Sequence, residues 1–390
     1  MLHKFLCFIF VFLFFHNNVL ANFNQKKIVK APEIPLEGLK GVGINTMAYW
    51  TGTSNTYDVE RFINHIKPLE KFGFSHVVII SCADWIIDLS CKKSFQDYDN
   101  IIAATKAAIE KTSLHVVLSL KAYKQKKISG KSTSSLQQKL ENDINTQIKF
   151  IETWKKIANV FSNVSRERLS FNLLNEPEFE LPKVSFKKRK LWEEIASKAI
   201  KEIRTISPNR VIIYEGIGKS LIASRNKSGY GKYRYGFPDL IAPLPFKDIV
   251  YGFHNYQPEY FLQQAKYRSG YVGKPYNENI TKAVKKDASK ISNWAKDKNV
   301  PVIMSEVGCI GYVDGKTEGP KNPEDCGKYA QDLYKFYVLN NIPITWWALE
   351  KEKTIYKRAI KGGKNFLPFD LIPDNHLFKG LRLNLNQVVK

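Results

Sequence analysis

Eight short apolar runs recur along the chain, at 42–45, 76–81, 115–120, 169–174, 211–214, 249–254, 302–305 and 344–348. Runs this short and this apolar predict strands covered on both faces, as in a parallel sheet. Between them the spacing changes from alternation to threes and fours. Leu136, Leu140, Ile144, Ile148, Ile151, Trp154, Ile157 and Phe161 form the clearest stripe, opened by a capping serine at 134 or 135. Trp192, Ala196, Ala199 and Ile203 form another, stopped by Ser207-Pro208. Both stripes predict helices packed on the sheet. Eight strand-helix units favour an α/β fold of one kind, a single closed (β/α)8 TIM barrel, over an open doubly wound sheet. The stretch 216–245, rich in Gly, Ser and Tyr, shows no strand pattern. No internal repeat or long linker divides the chain.

In a parallel barrel the carboxyl ends of all strands open on one face, and chemistry collects there. The residues at those ends therefore carry the functional reading. Glu176 follows the fourth run in Phe171-Asn172-Leu173-Leu174-Asn175-Glu176-Pro177, and Glu306 follows the seventh in Val302-Ile303-Met304-Ser305-Glu306. Two carboxylates facing one cleft are what cleavage of a glycosidic bond requires. The sixth run ends in His254-Asn255-Tyr256, an imidazole and a phenol. The eighth ends in Trp346-Trp347, where an indole would stack on the apolar face of a sugar ring. Asn175 is a donor for a sugar hydroxyl, and Tyr49, Trp50 and Trp85, after the first two strands, would extend the stacking surface.

The chain's 390 residues suit one barrel with insertions. Met1-Leu-His-Lys4, eleven apolar residues from Phe5 to Phe15, and Val19-Leu20-Ala21 have the three parts of a secretory signal peptide. The expected organisation is a signal at 1–21, a short leader at 22–37 and a catalytic domain at 38–390, in a secreted or periplasmic protein. Net charge is +23, from 60 Lys and Arg against 37 Asp and Glu. That balance predicts weak attraction to an anionic glycan or envelope surface, with lysines 121, 124, 126, 127 and 131 and residues 183 and 187–190 as a basic shoulder beside the cleft. No Gly-rich phosphate loop, metal-ligand cluster or Cys-x-x-Cys pair occurs, so the pattern calls for no metal, no organic cofactor and no nucleic-acid partner. After loss of Cys7 with the signal, Cys82, Cys91, Cys309 and Cys326 remain. Local pairing, 82 with 91 and 309 with 326, would close two strand-end loops; free buried thiols are the alternative.

The order Asn175-Glu176-Pro177, His254-x-Tyr256, Glu306 resembles glycoside hydrolase family 5, the cellulase and mannanase family of retaining (β/α)8 glycosidases. The likeness runs from Gly41-Val-Gly-Ile-Asn45 through the eighth strand. It implies an oligo- or polysaccharide substrate, a β-linked glucan or mannan, and endo-1,4-β-glucanase-like hydrolysis. Glu176 would be the acid/base with a raised pKa, Glu306 the nucleophile, Asn175 a contact to the sugar 2-hydroxyl, His254 and Tyr256 orienting groups, and Trp346 or Trp347 the subsite floor. Two positions depart from the family pattern. Val78 stands where members carry an arginine that supports the nucleophile, and Lys121 stands near a usual histidine; Lys121 would then supply the cation beside Glu306. A non-catalytic carbohydrate-binding protein on a degenerate barrel is the competing reading of these departures.

Overall fold

The computed structural model describes residues 28–46, 59–87, 98–122, 136–177, 186–219, 243–265, 271–311, 319–349, 355 and 374–384, with the backbone of three short strands, Lys127–Ile128, Lys131–Ser132 and Arg234–Gly236. Eight parallel strands close into a barrel. They are β1 (Val42–Asn45), β2 (His76–Cys82), β3 (His115–Lys121), β4 (Leu169–Asn175), β5 (Ile212–Lys219), β6 (Ile249–Asn255), β7 (Val302–Val307) and β8 (Ile344–Trp347). β8 pairs with β1, which closes the ring. Each apolar run of the sequence is thus a barrel strand, with ends shifted by a residue or two except in β5, which runs on to Lys219.

One expectation fails in the 216–245 stretch. Arg234–Gly236 forms a short strand antiparallel to β5 and β6, pairing with Gly216 and Lys219 on one side and with His254 and Asn255 on the other. It bridges the two strands beyond the point where they diverge, so main-chain hydrogen bonding rather than side-chain pattern specifies it.

Alternation along the strands sorts residues into two cores. Outward positions such as Val77, Ile79, Phe171, Tyr214 and Met304 join the buried layer between strands and helices. Inward positions, Val78, Ile80, Val117, Ile213, Val250 and Ile303, fill the barrel interior together with Ile34, Leu36 and Leu39. Residues 28–36 of the expected leader are therefore packed: Ile28, Ala31, Ile34 and Leu36 are all buried. Ile34, Leu36 and Leu39 close the end of the barrel away from the carboxyl ends of the strands.

That base also holds polar groups. His76 opens β2 and lies between Ser75 Oγ at 2.9 Å and Thr345 Oγ1 at 2.8 Å. His115 opens β3 and lies between the Glu167 carbonyl at 2.9 Å and Ser170 Oγ at 2.8 Å. A Cβ at Gly43 would stand 2.0 Å from the His76 ring, so only glycine lets β1 pass there.

The long stripe folds as two helices, Leu136–Asn142 and Ile144–Val160, because Asp143 takes extended backbone and caps the second by accepting from the Asn145 N–H. The break changes the phase. Phe150, Trp154 and Ile157 face the barrel, whereas Ile144 and Ile148, expected in the stripe, are 59% and 46% exposed. Phe186–Ile206 follows its pattern, with Trp192, Ala196, Ala199 and Ile203 buried. Cys309 and Cys326 form a disulfide with Cα atoms 5.8 Å apart. Cys82 is also disulfide-bonded; Cys91, its expected partner, lies outside the described residues.

Candidate active site

β3 to β7 bring together five ionisable side chains: Lys121, Glu176, Glu215, His254 and Glu306. Plain strand alternation would turn Glu306 outward, since Ile303 and Ser305 point in. A register shift in β7 between Met304 and Glu306 corrects this and sets Glu306 beside His254. A similar shift between β3 and β4 aligns Lys121 with Asn175. Glu176, just past β4, has φ 52°, a left-handed conformation uncommon outside glycine. Its turn is tied at both ends: the N–H donates to Glu215 Oε2 at 2.9 Å, and the carbonyl accepts from Gln137 Nε2 at 3.1 Å. Such a conformation persists only where surrounding contacts over-determine it.

The distances define a compact cluster. Oxygens of Glu176 and Glu306 and a ring nitrogen of His254 all lie within 4.8 Å of one another. His254 Nδ1 is 3.1 Å from Glu176 Oε1 and 3.6 Å from Glu306 Oε2. Its Nε2 is 3.2 Å from Glu215 Oε2. Tyr256 donates to Glu306 Oε1 at 2.6 Å, while Glu306 Oε2 has no hydrogen-bond partner among the described residues. Lys121 Nζ donates to Glu176 Oε2 at 2.7 Å and lies 6.0 Å from the centre of the Trp347 ring. Asn175 is buried, and its Nδ2 likewise meets no hydrogen-bond acceptor among the described residues.

Burial and these contacts set the charges. Burial pushes the Glu176 carboxyl up, but Lys121 and then His254 outweigh it, and the group is held well below the usual carboxylate range. Glu306 moves the other way: burial and the negative charge of Glu176 raise it, against the lowering pull of His254 and Lys121. His254 loses solvation, yet Glu215, Glu306 and Glu176 together hold it well above the ordinary imidazole range. Three carboxylates thus face two cations, and one proton neutralises the set. Of the two facing acids, Glu306 is the one whose surroundings favour the protonated form. This reverses the raised pKa expected for Glu176, and the reason is Lys121, which the structure pairs with Glu176 and not with Glu306.

The remaining expected residues divide. Trp347 points into the barrel mouth beside Lys121, whereas Trp346 is fully buried in the layer between strands and helices. Trp85 follows β2, donates to Ser81 Oγ at 3.2 Å and packs edge-on against Tyr98, with its rings 5.3 Å apart. Trp50 and Tyr49 lie outside the described residues, as do Lys124, Lys126 and Lys183 of the expected basic shoulder. Lys188 of that shoulder is engaged by Glu141 at 2.7 Å. Sequence reasoning missed Glu215. The signal was present: an acid two residues after the inward-facing Ile213 in Ile212-Ile-Tyr-Glu215-Gly puts a carboxylate inside an otherwise apolar strand.

Comparison with known proteins bears on the same residues. The family model described as Cellulase (glycosyl hydrolase family 5) matches residues 41–353. Endoglucanase 3 of Fibrobacter succinogenes is 27% identical over 196 residues, covering 41% of this chain and 27% of its own length. An endoglucanase of Paenibacillus polymyxa is 22% identical over 206 residues, covering 52% of this chain and 47% of its own. The chain therefore spans about a quarter to a half of those curated relatives. Among solved structures, Thermotoga maritima Cel5A in complex with mannotriose has a TM-score of 0.62 at 18% identity, covering 88% of this chain and 98% of that one. The cellulose synthase subunit Z of Clostridioides difficile has a TM-score of 0.61 at 22% identity, covering 88% of this chain and 99% of that one.

Proposed function

The chain belongs to glycosyl hydrolase family 5, the cellulase family, and from that premise we propose that it hydrolyses the β-1,4 bonds of a glucan or mannan by double displacement. The observation that carries this reading is the pair of strand-end carboxylates with oxygens within 4.8 Å. Retaining glycosidases hold their two carboxyl groups about 5 to 5.5 Å apart, while inverting ones leave about 6.5 to 9.5 Å for a water. Glu306 has the form of a nucleophile, with one oxygen fixed by Tyr256 and the other free of hydrogen bonds among the described residues and 3.6 Å from His254 Nδ1. It attacks the anomeric carbon as Glu176 gives its proton to the leaving oxygen. Glu176 then takes a proton from the water that releases the sugar, with net retention.

The resting charges add a condition. For the first step Glu176 must carry a proton and Glu306 must be ionised, the reverse of the directions in which Lys121 and His254 push the one and burial and the Glu176 charge push the other. A glycan hydroxyl accepting from Lys121 Nζ would compete with Glu176 for that donor and loosen the pair, coupling substrate entry to protonation of the acid. The buried Asn175 amide is placed for a sugar hydroxyl, and the Trp347 face for the ring floor. Binding alone requires neither a strand-end carboxylate oxygen free of hydrogen bonds nor a left-handed turn fixing the second acid, which favours the catalytic reading over a carbohydrate-binding one. The N-terminal segment supports export, and the positive charge supports weak contact with anionic glycans. Among the described residues no helix is long and apolar enough to cross a membrane.

A panel of soluble β-glucans and mannans, with reducing-sugar release and the anomeric configuration of the first product, tests the proposal. Retention, and loss of release in the Glu306→Gln protein, are expected. An inverted product, or full turnover by that variant, would overturn it.

A further inference from the structure

Glu215 takes no part in the displacement, yet it is among the most completely engaged side chains in the barrel. It is fully buried inside β5. Oε1 accepts from Asn172 Nδ2 at 2.8 Å and from Ser305 Oγ at 2.9 Å; Oε2 accepts from the Glu176 N–H at 2.9 Å and lies 3.2 Å from His254 Nε2. β6 comes close at the same level: a Cβ on Gly252 would stand 3.0 Å from Glu215 Cγ and 3.1 Å from Ser305 Oγ. The carboxylate is thus confined by β4, β5, β6 and β7 at once.

The His254 ring shows what that confinement achieves. Both ring nitrogens lie 3.1 to 3.6 Å from carboxylate oxygens, Nδ1 facing Glu176 and Glu306 and Nε2 facing Glu215. A neutral imidazole has a single N–H, so either tautomer would leave one ring nitrogen's lone pair beside an anion; the imidazolium presents positive charge to both sides, as a hydrogen bond toward Glu176 and as an ion pair toward Glu215. Lys121, the other cation of the cluster, is paired with Glu176, and the inward position on β2 is the apolar Val78.

We propose that Glu215 is a positioning residue that fixes His254 as a permanent imidazolium between Glu176 and Glu306, and at the same time sets the backbone turn that aims Glu176. His254⁺ then takes the part of a resident cation facing the nucleophile, and the two catalytic acids exchange one proton in a constant field. This rests on the reading of Glu176 and Glu306 as the hydrolytic pair, but its first test does not. Among the described residues the charged groups around the ring are Glu176 past β4, Glu215 on β5, Glu306 on β7 and Lys121 on β3, with the Tyr256 hydroxyl on Glu306.

The full chain labelled with ¹⁵N-histidine reports both ring nitrogens, with the His254 signals assigned by their loss in the His254→Asn protein. Wild-type His254 is expected to show the doubly protonated signature at neutral pH and above. Glu215→Gln should return the ring to a neutral tautomer at neutral pH, and Glu215→Asp should retain the charged form. On an aryl β-cellobioside, Glu215→Gln should lower kcat by about tenfold or more with KM changed far less, and should move the alkaline limb of the profile to higher pH, since a neutral His254 no longer holds the Glu176 carboxyl down. A neutral His254 in the wild-type protein at pH 7 overturns the proposal, whether or not the variants fold. So does a Glu215→Gln protein with unchanged ring protonation and pH profile. A chain that hydrolyses nothing but keeps the charged ring would sink the hydrolytic reading and leave this one standing.

Discussion

The two mouths of the barrel hold histidine in opposite charge states. At the base, His76 and His115 face hydroxyls and a carbonyl; burial pushes His76 down to about 3, helped by His115, and His115 down to about 4, with Arg168 and Arg210 adding to the effect. At the catalytic mouth His254 is equally buried but faces three carboxylates, and stays charged. Desolvation is common to all three. What differs is whether the partner can repay the lost hydration of a positive charge, which a carboxylate does and a serine hydroxyl does not. The histidines of the base are thus neutral and hydrogen-bonded into the fold, and the mouth is crowded with facing charges.

If that division is right, damage at one mouth should leave the other untouched. The largest effect belongs to the mouth: Glu306→Gln should reduce turnover by about 10³-fold or more while the thermal midpoint stays near wild type. A large loss of stability in that variant would show that the mouth is also structural. At the base, Gly43→Ala drives a methyl into the His76 ring and should destabilise the fold by about 3 kcal/mol, with specific activity of the folded fraction unchanged. Denaturant melts together with active-site titration would separate the two quantities.

Acid should undo the base in a defined window. His76 and His115 have folded pKa values below their unfolded ones, so the stability they confer is present above about pH 6.5 and is lost as pH falls toward 4 and then 3. For His76 alone the loss by pH 4 is about 3 kcal/mol. His254 is raised and has the opposite slope: its contribution is present below about pH 6.5 and is lost only as pH rises through its folded value. Urea midpoints measured from pH 4 to 9 for wild type and His76→Gln should show the acid limb flatten in the variant; an unchanged limb would break the comparison. The smallest effect is expected for Lys121→Met. Removing the ammonium raises the Glu176 pKa, so the alkaline limb of kcat/KM should shift to higher pH, with less than about a tenfold change in the maximum. A profile identical to wild type would remove Lys121 from the proton balance.

The eight strands and the two catalytic candidates were legible because each strand is a short apolar run and each acid stands where such a run gives out. The stripe through Ile144 and Ile148 misled because Asp143 stops one helix and starts another, which rotates the exposed face. Arg234–Gly236 carried no pattern, since its place follows from open main-chain groups on β5 and β6. Trp346 and Trp347 were indistinguishable as letters. Pairing register turns one into the outer core and the other into the mouth.

The amino-acid order by itself determined a parallel barrel with Glu176 and Glu306 at strand ends, because short apolar runs and the helical stripes between them are properties of local sequence. Only the tertiary structure decided that β7 shifts register to bring Glu306 inward, that Lys121 binds Glu176, and that Glu215 stands behind His254. Those outcomes depend on groups many residues apart meeting in a space closed to water. There, each residue's charge is set by its neighbours across the barrel and not by its neighbours along the chain.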